Sequence, residues 1–331
     1  MKSNNGIFDP VNHKISESEI KNNFNVFLNE LTDVPSSVPL NKFKINRAGI
    51  TNQSVYLSVR SLFSNKYVPV LAEVTMQVEL DGHRGIHMSR CEESLFSLIE
   101  KRYENIEDFA IELAKNIKLK QKSNKSYVSV SAIYLAERKT VKTKKNSKDK
   151  MNMYADVVID KKKIFKTIGL EAYNMTGCPC TETFTKFSVV PKLLKLGLNI
   201  DQVNNIIEIT NSGTHTQRGL SKILIDNTDN NLKYKDLFNI LDKSCVLIFE
   251  LLKRPDEHEL VIRALKNPQF TEDVAREIAE NLLNDHKNIT NESKVEISSI
   301  LFDSIHIHDV CTVIEDSVSN LRKYVDGKIS N

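Results

Sequence analysis

The chain has 331 residues, of which 40% are hydrophobic and 27% charged, and its formal net charge is +3. That length holds one large domain or two modules, and so small a charge does not by itself argue for nucleic-acid binding. No apolar run is long enough to cross a bilayer, residues 1–30 lack the apolar core of a signal peptide, and five scattered cysteines do not read as a disulfide framework, so a cytoplasmic setting with reduced thiols is expected.

Residues 1–41 are rich in Asn, Ser and Lys, contain Pro10, Pro35 and Pro39, and read as an extended N-terminal arm. Within them Phe24, Phe27, Leu28 and Leu31 fall at helical spacing and predict a short docking helix. From residue 42 the period changes to two. Phe43, Ile45, Val55, Leu57 and Val59, then Val68, Val70, Ala72, Val74, Met76 and Val78, alternate with polar residues and predict a long hairpin turning near residues 64–66. Helical spacing returns over 91–102 and 106–119, and strands follow at 128–134 and 153–159. The second half repeats that order: strands at 164–174 and 219–225, helices at 234–253, 257–266 and 271–285, then strands at 295–302 and 305–314. A helical insertion at 184–209 is the departure. Two β-β-α-α-β-β units imply a duplicated α+β module, the first at 42–160 and the second at 161–325. Residues 138–150 are the most basic stretch; without interleaved aromatics for base stacking they read as a solvated hairpin loop.

Several residues carry candidate chemistry. Cys178-Pro-Cys180 lacks zinc-ribbon spacing, and no second cysteine pair exists to close a four-sulfur site. A site of one Cys, one or two His and a carboxylate keeps a position open for water; the plainer alternative is two buried thiols. His215 stands at a loop-to-strand junction, where a surface role competes with a ligand role. His306 and His308, two apart on a predicted strand, would share one face. Lys253-Arg-Pro-Asp-Glu257 also fits a helix end followed by a helix start, and Thr271 a helix N-cap. Asp81-Gly-His-Arg-Gly-Ile-His-Met-Ser-Arg90 suits anion binding or merely a polar connection. No P-loop or dinucleotide-binding glycine run is present. Together Cys178, His215, Glu257 and His306 read as a catalytic metal centre.

His83-Arg-Gly-Ile-His-Met-Ser-Arg90, Gly177-Cys-Pro-Cys180, His215-Thr-Gln-Arg218, Lys253-Arg-Pro-Asp-Glu257 and Ser304-Ile-His-Ile-His-Asp309 occur in an order that resembles the metal-dependent GTP cyclohydrolases of the type IB and archaeal group. The resemblance covers roughly residues 40 to 320 and implies the bimodular tunnelling fold. It places Cys178 and His215 at the metal, Glu257 in the metal shell and Glu272 on the guanine ring, with the two glutamates exchangeable. His306 and His308 become a further ligand or the general acid, so that Cys178, His306 and His308 form the catalytic set. The insertion resembles the archaeal branch and implies Fe(II), with Mn(II) or Zn(II) as alternatives. The implied reaction is attack of metal-bound hydroxide on C8 of the guanine of GTP, loss of formate, ribose rearrangement and closure to a 7,8-dihydroneopterin phosphate: the 2′,3′-cyclic phosphate with loss of pyrophosphate in the archaeal branch, the triphosphate in the bacterial branch. Arg84, His87, Arg90 and Arg218 are the candidates for phosphate contact. A homo-oligomer, dimer or tetramer, with sites between subunits is implied, with neither nucleic acid nor membrane as partner. Two other classes compete: a tunnelling-fold purine or pterin enzyme of the deazaguanine reductase kind with a nucleophilic Cys, and a non-catalytic nucleic-acid-binding module with a structural metal.

Overall fold

The computed structural model describes residues 33–210, 213–325 and 327. The helix expected around Phe24 to Leu31 lies outside them. Eight long strands cross one sheet in chain order, each antiparallel to the next. They are β1 (Ile45–Arg60), β2 (Tyr67–Leu80), β3 (Lys125–Lys139), β4 (Asn146–Asp160), β5 (Lys163–Gly177), β6 (Thr216–Asp226), β7 (Lys294–Phe302) and β8 (Val310–Ser317). Two-residue strands, Arg102–Tyr103 and Val246–Leu247, dock on β1 and β5. Helices α1 (Met88–Phe96) and α2 (Ile106–Lys120) join β2 to β3, and α3 (Pro179–Lys195) and α4 (Ile200–Ile209) join β5 to β6. Helices α5 (Tyr234–Ser244), α6 (Arg254–Lys266) and α7 (Thr271–Asp285) join β6 to β7, and α8 (Val318–Val325) follows β8. The result is an α+β protein of the bimodular tunnelling fold, two β-β-α-α-β-β units in one antiparallel sheet.

Period-two alternation explains which face is covered. Val70, Ala72, Val74, Met76 and Val78 on β2, with Val128, Val130, Ala132 and Tyr134 on β3, point at the helices and are buried. They meet Phe109, Ala110, Leu113 and Ile117 of α2, and the same cluster continues into the second half through Leu170, Ile223, Leu237, Ile278 and Ile297. Each fully buried aliphatic side chain of this kind contributes about 1.5–3 kcal/mol over its exposed state. On the opposite face Tyr56, Leu71, Leu135 and Phe165 remain exposed. Phe165, Thr167, Gly169 and Glu171, the set whose alternation marks β5 in the sequence, belong to that outer face; Ile168, Leu170 and Ala172 face the core.

Several elements differ from the sequence expectation, among them α1, which spans Met88–Phe96 and stops short of 102, where Arg102–Tyr103 pair with β1. Helix α5 stops at Ser244 and does not reach 253, because the backbone turns extended at Cys245 (φ −146°, ψ 164°) and Val246–Leu247 pair with Met175 and Asn174. The helical insertion begins at Pro179, whose fixed φ suits a first helical position. The last strand starts at Val310, so His306 and His308 stand on a loop after β7 and not on a strand. Residues 138–150 are mostly strand, with a short tip whose Thr140 is wholly buried, and do not form a solvated loop. Among the described residues no helix is long and apolar enough to cross a membrane.

Candidate active site

β5 and β6 pair as far as Gly177 and Thr216, and the Cys178 N–H extends the ladder by one bond to the His215 carbonyl, 3.1 Å. That bond sets the cysteine and the histidine side by side at the open end of two central strands. Cys178 is extended (φ −80°, ψ 117°) and caps α3; its carbonyl accepts from the Thr214 hydroxyl at 2.8 Å and the Glu182 N–H at 3.2 Å. The Thr181 hydroxyl donates to Cys178 Sγ at 3.7 Å. Both Cys178 and His215 are half-buried, whereas Cys180 is exposed. Gly177 allows this approach: a Cβ there would stand 3.1 Å from Thr214 Cγ2 and 3.5 Å from the Ala264 carbonyl oxygen.

The loop after β7 closes the other side of His215. His215 Nδ1 lies 3.2 Å from Ser304 Oγ. The Ile305 N–H donates to Asp303 at 2.8 Å and, with His306 and His215 nearby, holds that carboxyl below the usual range. The His306 and His308 rings stack on each other, centroids 5.1 Å apart and 13° from parallel. Ser304 and Asp303 are contacts the sequence does not single out: Ser304 opens the motif Ser304-Ile-His-Ile-His-Asp309 only as the residue flanking its histidines, and Asp303 lies outside it. Arg218 is exposed on β6 opposite Met175, and so belongs to the same end of the sheet. Glu272, in the first turn of α7, is exposed there too, because the Gln269 backbone and Thr176 Oγ1 exchange hydrogen bonds of 2.9 and 2.8 Å just before that helix.

Two groups of expected site residues are not brought to Cys178 within one chain. The Asp256 carboxylate is bound by the tip of the β3–β4 hairpin, and α6 approaches Gly177 with Ala264 and Leu265. Glu257 therefore stands about two helical turns, roughly 10 Å, along the axis from that contact. Among the described residues no three His, Cys, Asp or Glu side chains form a group able to hold a metal ion. The expected donors Cys178, His215, Glu257 and His306 are thus not gathered into one cluster.

Arg84, His87 and Arg90 are farther still. They lie beyond Leu80: His87 and Arg90 help to line a cavity of roughly 300 Å³ with Asp33, His83, Gln121 and Ser123, and the Arg84 N–H donates to the Ser37 carbonyl at 2.9 Å. That is the Lys163 end of β5, because Val78 pairs with Ser126, Lys125 with Asp160, and Asp160 with Lys163. The fifteen residues of β5 separate it from Cys178, roughly 45 Å at the usual strand rise. Within its own chain His87 Nε2 lies 3.2 Å from Ser36 Oγ and 3.4 Å from Asp33, and Arg90 is 4.0 Å from the same carboxylate.

A family model described as type I GTP cyclohydrolase folE2 matches residues 31–312. The GTP cyclohydrolase MptA of Methanococcus aeolicus is 29% identical over 305 residues, spanning 88% of this chain and 98% of that protein. The protein of the same name from Methanocaldococcus jannaschii is 26% identical over 311 residues, spanning 89% and 98%. Among solved structures, uricase from Arthrobacter globiformis aligns over 86% of this chain and 95% of its own with a TM-score of 0.46 and 10% identity. With the family model spanning most of its length, the chain belongs to the type I GTP cyclohydrolase folE2 family.

Proposed function

We propose that the chain hydrolyses the guanine ring of GTP at C8, releases formate and pyrophosphate, and yields a 7,8-dihydroneopterin 2′,3′-cyclic phosphate for pterin biosynthesis. The observation that carries this reading is the Cys178–His215 pair, set side by side by one backbone hydrogen bond at the open end of β5 and β6 in a member of this family. A thiol and an imidazole are donors that suit a divalent transition metal. Cys178 and His215 would hold it, with His306 the next imidazole at that end of the sheet; the assignment is Fe(II), with Mn(II) or Zn(II) as alternatives. Such an ion supplies Lewis acidity and lowers the pKa of water.

The remaining work falls to the chain's own groups. Ser304 fixes the His215 ring through Nδ1. His306 and His308, exposed on the neighbouring loop, move protons to and from the purine nitrogens as the ring opens, a task imidazole suits. Glu272, exposed at the start of α7, accepts hydrogen bonds from the guanine N–H groups, and Glu257, exposed in the first turn of α6, is assigned to the same reaction as the carboxylate of the metal shell. Arg218 meets the phosphates from the same chain. Arg84, His87 and Arg90 stand at the far end of the sheet, and they serve the phosphates of a neighbouring copy in a homo-oligomer.

The test is anaerobic incubation of chelator-stripped protein with GTP, restoring Fe(II), Mn(II) or Zn(II) separately and assaying formate and the pterin. Metal-dependent formate with a cyclic-phosphate product is expected, and Cys178→Ala or His215→Ala should abolish it. A triphosphate product would replace the assigned product while leaving the ring-opening reading intact. No formate with any metal, from folded protein, would overturn the reading.

A further inference from the structure

In the segment Lys253-Arg-Pro-Asp-Glu257 two adjacent carboxylates meet opposite fates. Glu257 is exposed, whereas Asp256 is only 2% exposed. Asp256 Oδ1 accepts the backbone N–H groups of Lys142 (2.9 Å) and Thr143 (3.0 Å). Its Oδ2 accepts the Thr143 hydroxyl and the Lys253 N–H, the latter at 3.4 Å. Lys142 adds an ion pair to Glu259, 3.2 Å.

The hairpin tip is built to present those donors. The Thr140 N–H donates to the Lys145 carbonyl at 2.9 Å, and Thr140 Oγ1 accepts the Lys145 N–H at 3.1 Å while lying 3.0 Å from Thr143 Oγ1. Lower on the same hairpin Arg138 and Asp149 form a buried ion pair of 2.6 Å. Arg138 donates to the Ile248 carbonyl at 2.7 Å, Asp149 accepts the Glu250 N–H at 3.0 Å, and Ser147 Oγ accepts the Leu251 N–H at 3.1 Å. The connection from α5 to α6 is therefore strung between two attachments on one hairpin.

We infer that the β3–β4 hairpin is a docking cradle, and that Asp256 and Thr143 are positioning residues that set where α6 begins and so where Glu257 stands. This rests on the reading of Glu257 as a residue of the GTP reaction. It gives the most basic stretch of the chain an intramolecular role: backbone amides aimed at one buried carboxylate, with the lysine side chains left outside.

Three readouts on the metal-loaded, full-length enzyme with GTP test it. Hydrogen exchange at the Lys142 and Thr143 amides should accelerate at least about tenfold in Asp256→Asn and in Thr143→Ala, and stay near wild type in Thr143→Ser, which keeps the hydroxyl. Turnover should fall roughly 10- to 100-fold in Asp256→Asn with KM for GTP little changed, the scale of a misplaced but intact group. In a Glu257→Gln background, Asp256→Asn should cause no further loss, as expected of a residue acting through its neighbour. Unchanged amide exchange overturns the docking. An undiminished additional loss in the double variant, or full activity in Glu257→Gln, overturns the positioning of Glu257. Should the wild-type protein release no formate with any metal, the cyclohydrolase reading falls, and the exchange arm still decides the cradle. If Asp256→Asn does not fold, the Thr143→Ala and Thr143→Ser pair carries the exchange and turnover arms.

Discussion

Gly219, directly after the His215-Thr-Gln-Arg218 motif, leaves no space for a side chain. A Cβ there would lie 2.5 Å from Asn174 Oδ1, 2.7 Å from Leu301 Cδ2 and 3.1 Å from the Ile300 carbonyl. Asn174 cannot easily give way, because it is fully buried and donates to Ser221 Oγ at 2.7 Å, which in turn sits 3.0 Å from Ser299 Oγ. Gly219→Ala should therefore cost about 1–3 kcal/mol as an overpacked core position, read as a lower urea midpoint with unchanged slope. Gly85→Ala is the control: among the described residues its Cβ would meet nothing nearer than 3.9 Å, and its stability should stay within about 0.5 kcal/mol of wild type. A midpoint for Gly219→Ala equal to that of the control would sink the packing argument. The same residues show what the sequence could reveal about the site. Cys178 and His215 stood out because soft and borderline ligands are rare and these two sit in recognisable motifs. Asn174, Gln217 and Ser221, which underlie them, are ordinary polar letters at strand positions facing the core, where alternation leads one to expect aliphatics. Their burial is a property of which strands become neighbours, and no local pattern encodes it.

Helix α2 of the first half and strand β5 of the second are tied by a buried ion pair, Glu107 with Lys166, 3.4 Å. Neither side chain is more than about a tenth exposed, and Glu107 Oε2 has no hydrogen-bond partner among the described residues. Burial raises the Glu107 carboxyl above its ordinary value of 4.5, against the opposing pull of Lys166. The folded chain thus holds that proton more tightly than the unfolded one, so the group's stabilising contribution is present below the ordinary glutamate value and is lost as pH rises through the raised one. Wild type should lose stability relative to Glu107→Gln as pH rises above the ordinary glutamate value, measured as diverging urea midpoints. Lys166→Met, which strands the carboxylate, should cost roughly 3–5 kcal/mol near neutral pH; midpoints that run parallel with pH would refute the assignment. The elements that carry this pair were legible, since strands buried on one face alternate and α2 keeps a clean helical stripe. Boundaries were lost where a tertiary contact overrode local preference. Cys245 breaks the helical run because Val246 and Leu247 find an open edge at Asn174 and Met175, and residues 303–309 leave the ladder once Leu301 has paired with Val310.

Across the whole molecule, the sheet divides the proposed chemistry between its two ends. Cys178, His215, Arg218 and Glu272 gather where β5 ends and β6 begins, while His87 and Arg90 stand at the opposite end beside Asp33. A strand of fifteen residues cannot fold back to bring them together. A single GTP can touch both groups only if the second comes from another copy, so two differently disabled chains should repair each other. Cys178→Ala removes the thiol and leaves the cationic cluster; the double variant His87→Ala, Arg90→Ala does the reverse. Each alone should release almost no formate. Refolded together in equal amounts, they should recover roughly a quarter of wild-type turnover in a twofold assembly, because mixed pairs are half the population and hold one intact site of two. Recovery should appear only after subunit exchange and be lost on dilution below the assembly's dissociation constant. A mixture as inactive as its components would mean that the His87 and Arg90 cluster serves something other than the phosphates of a neighbour's substrate. Full activity in the double variant by itself would show that Arg218 and its own chain suffice.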